Sequence, residues 1–279
     1  MIPHLPAYHT IERETRKTIG FSILVFVLLF VSVVPFFSYA TVPPLKEWGV
    51  WEASESFVYQ ASWNGIPVAT AKVNAEPVWW EGKKSYRVRI KARTWKYLDP
   101  IWKMRDSIES IFSGENFQTR RFTFLQKENR KRTYTLALYD PGTDTWTVRR
   151  EKKRKVKWFE FVSDDTLDPI SAFYRVRSLD IKVGDRLRLN VFGGKSRYRV
   201  TLEVVAKERI SVQTGSFEAY KIISKIINIS RKGYAQRVRE ATVWISADRN
   251  RTPLRIVSKV FIGSVTIDLV KVNRSAYRS

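Results

Sequence analysis

SFVYQASW (Ser56–Trp63) and IPVATAKVNA (Ile66–Ala75) stand on either side of the dipeptide Asn64-Gly65. An Asn-Gly pair supplies the two positive φ angles of a type I′ turn, and strand-forming residues recur on both sides, so the segment predicts a two-residue β-hairpin. The same period of two continues outward. In KSYRVRIKAR, Tyr86, Val88 and Ile90 alternate with Arg87, Arg89 and Lys91; in GDRLRLNV, Leu187, Leu189 and Val191 alternate with Arg186, Arg188 and Asn190. In SRYRVTLEVV, Tyr198, Val200, Leu202 and Val204 oppose Arg197, Arg199, Thr201 and Glu203. Period-two patterning buries one set and leaves the other in solvent, so the outer face of the predicted sheet is basic.

Turn signals punctuate these strands at Asp140-Pro141-Gly142, Gly193-Gly194 and Gly215, while Gly263-Ser264 fits either a hairpin turn or a bend within one long strand. One helix interrupts the pattern. LDPISAFYRVRSLD places Asp168 as N-cap and Pro169 at the first helical position, with Ile170, Phe173 and Tyr174 spaced along one face. Many antiparallel strands must bury one face without leaving long bare edges, which points to a barrel, a half-barrel curled around the helix, or a sandwich. The expected class is mainly β, an antiparallel curled sheet with one short helix.

Ahead of this domain, residues 19–34, IGFSILVFVLLFVSVV, are uncharged and apolar, preceded by Arg13, Arg16 and Lys17 and followed by Pro35 and Ser38-Tyr39-Ala40. This is the pattern of an export segment, read as a signal peptide cut after Ala40 or as a retained membrane anchor. Residues 1–40 are thus expected to be signal or anchor, 41–55 a Pro-containing linker, and 56–279 a single domain outside the cytoplasm, periplasmic or facing the envelope.

The 279 residues include no Cys, and both histidines, His4 and His9, precede the apolar run. The exported part therefore has no imidazole or thiol to act as base, nucleophile or metal ligand, and no metal or cofactor is called for. Residues 1–40 hold three basic and two acidic side chains, so +22 of the +23 net charge lies beyond them. Outside the membrane the polyanions at hand are not nucleic acid but anionic lipid, phosphorylated glycolipid and acidic polysaccharide.

Several stretches together resemble one bacterial envelope family, domain of unknown function 3108: YQASWNGIPVATAKV, DPISAFYRVRSLDIKVGD, VQTGSFEAYKI, WISADRNRTPLRI and GSVTIDL, spanning Tyr59 to Leu269. The resemblance implies an exported, mainly β protein and supplies no activity or catalytic residue to carry over. This chain is more basic and richer in Trp than the resemblance leads one to expect.

The candidate site residues are cations and indoles. RREKKRKVK contributes Arg149, Arg150, Lys152, Lys153, Arg154, Lys155 and Lys157, read either as a solvated hairpin tip or as a docking patch for anionic lipid or polymer. Trp79-Trp80 followed by Lys83-Lys84, and Trp95, Tyr97 and Trp102 within RTWKYLDPIWK, interleave aromatic and basic residues as an interfacial contact does. Packing in a β core explains the same indoles, and Trp79 and Trp80 are the stronger candidates, because adjacent strand residues face opposite ways. The polar loop Ala247–Thr252 reads as a turn in which Arg249 and Arg251 are candidates for holding an anion. GGKS (Gly193–Ser196) lacks the leading glycine of a phosphate-binding loop and precedes a strand, so it reads as a hairpin turn. Asp164, Asp165 and Asp168 offer carboxylates for glycoside chemistry, but Asp168 is already required as a helix cap. The expectation is a non-catalytic binding or carrier protein for a lipid-like or anionic envelope ligand. Its rivals are a carboxylate-based hydrolase of an envelope glycan and a structural partner in an envelope protein complex.

Overall fold

The computed structural model describes residues 53–230, 238–260 and 263–276. The apolar run and the expected cleavage site after Ala40 lie outside the described residues. Fifteen strands form one sheet: β1 (Ala53–Trp63), β2 (Ile66–Trp80), β3 (Lys83–Thr94), β4 (Arg105–Ser113), β5 (Thr119–Glu128), β6 (Lys131–Asp140), β7 (Thr145–Lys152) and β8 (Lys155–Val162) make a first meander. After β9 (Thr166–Leu167) and the helix α1 (Pro169–Arg177), a second meander follows: β10 (Arg186–Phe192), β11 (Arg197–Val212), β12 (Gly215–Asn228), β13 (Val238–Ser246), β14 (Pro253–Lys259) and β15 (Ser264–Ala276). β15 returns to pair antiparallel with β1, so the two meanders share one continuous ladder.

The hairpin that predicts the fold forms as expected. Asn64 and Gly65 take φ of 47° and 84°, and Trp63 pairs with Ile66 across the turn. The alternation also holds, with Tyr86, Val88, Ile90, Leu187, Val200, Leu202 and Val204 buried while Arg89, Lys91, Arg186, Arg188 and Arg199 are exposed. At Gly263-Ser264 the chain forms a hairpin and not one long strand, but the pair is not itself the turn: Ser264 opens β15 opposite Lys259, and Val260 N donates to Gly263 O.

The sheet curls around α1 without closing. Its two edges, β8 and β9, are consecutive in the chain and joined by residues 163–165, yet no ladder connects them. Side chains span the seam instead. Phe159 and Phe161 pack against Phe192, with ring centroids 6.3 and 5.2 Å apart, and the Arg197 guanidinium lies 5.0 Å from the Phe161 ring centre. The Gly193–Ser196 turn is tucked close: a Cβ at Gly193 would come within 2.9 Å of the Tyr198 ring, and Gly194 has φ of +85°. Only glycine suits both the contact and the dihedral.

A meander of antiparallel strands puts alternate connections at opposite ends. The β2–β3, β4–β5, β6–β7, β8–β9 and β13–β14 connections share one end with the start of β1; the β1–β2, β3–β4, β5–β6, β7–β8 and β14–β15 connections share the other. The helix occupies the first of these. Asp168 reaches Ser110 on β4 and Thr119 at the start of β5, and Arg177 reaches Glu55 near the start of β1 and the β13–β14 connection. We refer to this as the capped end and to the opposite one as the far end.

Candidate functional site

Inside the curl, between α1 and the inner wall, lies a cavity of about 260 Å³. Its walls come from both meanders, with Val88, Ile90 and Phe124 on one side and Leu202, Ile222 and Ile245 on the other, and α1 contributes Ile170, Phe173 and Tyr174. Three of the few polar groups that border it are already engaged. Ser224 Oγ donates to Ala241 O at 3.0 Å, Tyr59 Oη donates to Pro253 O at 3.0 Å, and Arg177 is ion-paired. Burial raises the pKa of both tyrosines, Tyr59 and Tyr174, well above the phenolic range, so they stay neutral. The cavity thus offers hydrocarbon walls and no charge seeking a partner. Towards the far end a second, much smaller space of about 10 Å³ lies beside Ala61, Ala69, Ala92 and Met104, and its lining shares Tyr59, Ala71 and Ile267 with that of the main cavity.

The helix that floors this cavity is fixed at both ends. At its N-terminus Asp168 accepts from Ile170 N (2.8 Å), Ser171 N (3.2 Å), Ser110 Oγ (2.6 Å) and Thr119 Oγ1 (2.8 Å). Burial raises its pKa and these four donors oppose the shift. The carboxylate proposed for glycoside chemistry is therefore fully occupied as a cap, and Asp165 accepts from Ser163 Oγ and Asn190 Nδ2 in the connection before it. At the C-terminus the buried Arg177 forms a two-pronged pair with Glu55, at 3.0 and 3.1 Å, and donates to the carbonyls of Arg251 and Asn250. Burial disfavours its charge, but Glu55 and Tyr174 outweigh that and leave its pKa above the usual value. Arg274 Nε adds a third bond to Glu55 at 3.0 Å.

The Ala247–Thr252 loop is thus a turn whose backbone anchors the helix. Arg249 is exposed as expected. Arg251 corrects the expectation of an anion-binding pair, because it is 2% exposed, stacks 4.8 Å over the Tyr220 ring and lies 3.8 Å from Asp180. The reason is its φ of 46°, which turns the chain inward just before β14.

The basic run forms the β7–β8 hairpin, with Lys153 and Arg154 at its two-residue turn and Lys152 paired with Lys155. Lys152, Lys153, Arg154, Lys155 and Lys157 are exposed, and the half-buried Arg149 meets Glu151 at 3.2 Å. Arg150 corrects the reading of the run as one surface patch. Strand alternation points it inward, where it donates to Thr135 Oγ1 (2.8 Å) and Gly194 O (3.1 Å) across the seam, and burial lowers its pKa. Trp79, 73% exposed, pairs with Lys84, and Trp80 with Lys83, at the β2–β3 tip of the capped end. Trp95 and Tyr97 are exposed at the far end, whereas Trp102 is partly buried against the core. The two aromatic candidates therefore sit at opposite ends and cannot form one surface. The sequence reading of a binding or carrier protein assigns no residue to an interior site; of the small residues on the buried faces of β1–β3, Ala71 lines the cavity and Ala61, Ala69 and Ala92 the smaller space beside it.

Residues 58–270 match the family described as proteins of unknown function, DUF3108. The chain belongs to that family. No curated protein matches it. Among solved structures, it resembles the β-barrel-like protein of domain of unknown function DUF1849 from Brucella abortus, with a TM-score of 0.56 at 10% identity, covering 81% of this chain and 99% of that one. A candidate exported protein of YmcC-like fold from Bacteroides fragilis aligns at a TM-score of 0.33 and 10% identity over 84% of this chain and 100% of its own. A candidate lipoprotein from Parabacteroides distasonis aligns at 0.34 and 11% over 79% and 95%. The first likeness shows a shared barrel-like fold between the DUF3108 chain and the Brucella protein.

Proposed function

We propose that this DUF3108 protein is an exported, non-catalytic binding protein that holds an apolar chain of the fatty-acyl kind in the cavity between α1 and the curled sheet, while its basic exterior meets anionic envelope lipid. The observation that carries the reading is the cavity itself. An apolar space of about 150 Å³ suffices to take up benzene, and an unfilled closed one costs ~24 cal/mol per Å³. A fold that keeps about 260 Å³ lined by aliphatic and aromatic side chains has room for a hydrocarbon chain. The net charge of +23 matches the headgroup chemistry of anionic lipid.

The test is titration with a fluorescent fatty acid in vesicle-free buffer. Saturable binding is expected for the wild-type chain, and Ala241→Phe, which pushes a ring into the cavity from β13, is expected to weaken it at least about tenfold, the effect of ~1.4 kcal/mol. Circular dichroism monitors the fold of the variant. A wild-type chain that never saturates, or an Ala241→Phe chain that folds and binds undiminished, would sink the reading.

A further inference from the structure

The connections of the first meander sort by charge according to the end they occupy. At the far end, 64–65, 95–104, 129–130 and 153–154 contain Lys96, Lys103, Arg130, Lys153 and Arg154 against one acid, Asp99. Asp99 is already paired with Arg105 at 2.7 Å. At the capped end, 81–82, 114–118, 141–144 and 163–165 contain Glu81, Glu115, Asp144, Asp164 and Asp165 and no Lys or Arg. Neither set is contiguous in sequence; only the meander gathers them.

Apolar exposure follows the same division. At the far end Trp63, Ile66, Trp95, Tyr97 and Ile101 are all exposed, Ile66 at 60% and Ile101 at 80%. They form one platform, because the loops that carry them are bonded together. Trp95 N donates to Val68 O at 3.0 Å, Tyr97 Oη donates to Pro67 O, and Asn64 and Ser264 exchange bonds of 3.0 and 2.9 Å. Among the described residues none of the five cations at this end takes part in an ion pair. Below it lies the small alanine-lined space beside Met104, whose lining shares Tyr59, Ala71 and Ile267 with that of the main cavity.

We infer that the far end is a bilayer-docking surface: Trp63, Ile66, Trp95, Tyr97 and Ile101 enter the headgroup region of an anionic membrane, the Lys and Arg of the same end bind its phosphates, and the capped end, with the acidic connections of the first meander, points away. Indole, phenol and aliphatic groups interleaved with lysine are what the membrane interface favours, and clustered cations add attraction to anionic lipid. A flat protein partner has no need of the opposite sign at the other end, whereas a charged plane aligns a molecule that carries it. The inference rests on the cavity reading and deepens it by naming the end of the fold that faces the bilayer from which a lipid chain is taken. The Trp79-Trp80 tip, with its exposed Lys83 and Lys84, lies at the capped end and is not part of this surface.

The absence of cysteine makes the test direct. Ile101→Cys and, separately, Asp164→Cys are introduced into the chain as recovered from the envelope and labelled with a polarity-sensitive fluorophore. Vesicles of phosphatidylglycerol and phosphatidylcholine are then added. Emission at position 101 is expected to rise severalfold and that at 164 to stay unchanged. Reversing Lys96, Lys103, Arg130, Lys153 and Arg154 to Glu is expected to weaken the response at 101 by about fivefold or more per cation. Equal responses at both positions, a response at 164 alone, no response at either, or an undiminished response at 101 with pure phosphatidylcholine would each overturn the inference. Fatty-acid titration of the same labelled chains without vesicles separates the two readings: lost binding with an intact response at 101 removes the cavity alone.

Discussion

The two ends of this molecule handle charge in opposite ways. At the capped end the buried charges are matched: Arg177 faces Glu55 on two prongs, and Asp168 has four donors. At the far end, exposed cations that form no ion pair among the described residues share the surface with exposed indoles, and the buried Asp106 and Glu128 lie close enough for their charges to oppose each other. Around the helix one end pairs the charges it buries, and the other leaves charged and apolar groups open to solvent. Departures of this kind, gathered in one place, are where a fold accommodates something other than its own stability. The capped end holds the floor of the cavity in place, and the far end is where function is to be sought.

The largest test of this contrast strikes the capped end. Arg177→Ala leaves Glu55 buried with only the half-exposed Arg274 as its cation and frees two backbone carbonyls, so a loss of about 3–5 kcal/mol is expected in urea unfolding. Replacing both partners, Glu55→Leu with Arg177→Met, is expected to recover a large part of that loss, because no charge is then left buried at the pair. A single replacement that cost less than about 1 kcal/mol would show that the capped end is not the stabilising one.

Much of this architecture was legible in the chain. Alternation set the buried faces, Asn64-Gly65 set the first hairpin, and Asp168-Pro169 set the helix start, because each depends on contacts within a few residues. The Arg177–Glu55 pair joins positions 122 apart, so nothing local announces it. Composition counts charges without their direction and so reads Arg150 and Arg251 as surface cations; strand parity turns the first inward and one left-handed residue the second. The sorting of charge between ends was hidden for a related reason. Lys96, Arg130 and Lys153 meet only once the strand order is known.

A second test reaches the interior of the far end through pH. Burial raises the pKa of Asp106 to about 7, the Lys127 N–H opposes that shift, and the nearby Glu128 carboxylate adds to it. Above an unfolded value of 3.8 the unfolded chain loses this proton first, so the folded state binds more protons between 3.8 and 7 and stability falls as pH rises through that window. At ~1.4 kcal/mol per pKa unit the difference approaches roughly 4 kcal/mol as an upper limit. Asp106→Asn retains the oxygen that accepts from Lys127 N at 2.9 Å and has no charge to bury. It is therefore expected to be more stable than wild type at pH 8 and indistinguishable at pH 4, as read from unfolding midpoints at the two values. Equal differences at both would assign the effect to packing instead of ionisation.

The smallest expected effect on stability is the most informative about purpose. Two far-end hairpins turn on two residues with positive φ: Asn64-Gly65, at 47° and 84°, and Lys153-Arg154, at 50° and 62°. The first uses the residues such a turn favours; the second places two long cations in a conformation that costs L-residues with a Cβ about 1 kcal/mol or more each. If the second turn were shaped by folding alone, it would carry the same residues as the first. Lys153→Asn with Arg154→Gly is accordingly expected to raise stability by about 1 kcal/mol in urea unfolding. Removing two phosphate-binding charges should at the same time weaken attachment to phosphatidylglycerol vesicles, by roughly fivefold per charge, and flatten its dependence on salt. A variant that gained stability and kept its vesicle binding would mean that the cations at this tip serve no membrane. A variant that lost stability would mean that the turn, not the charge, selects Lys153 and Arg154.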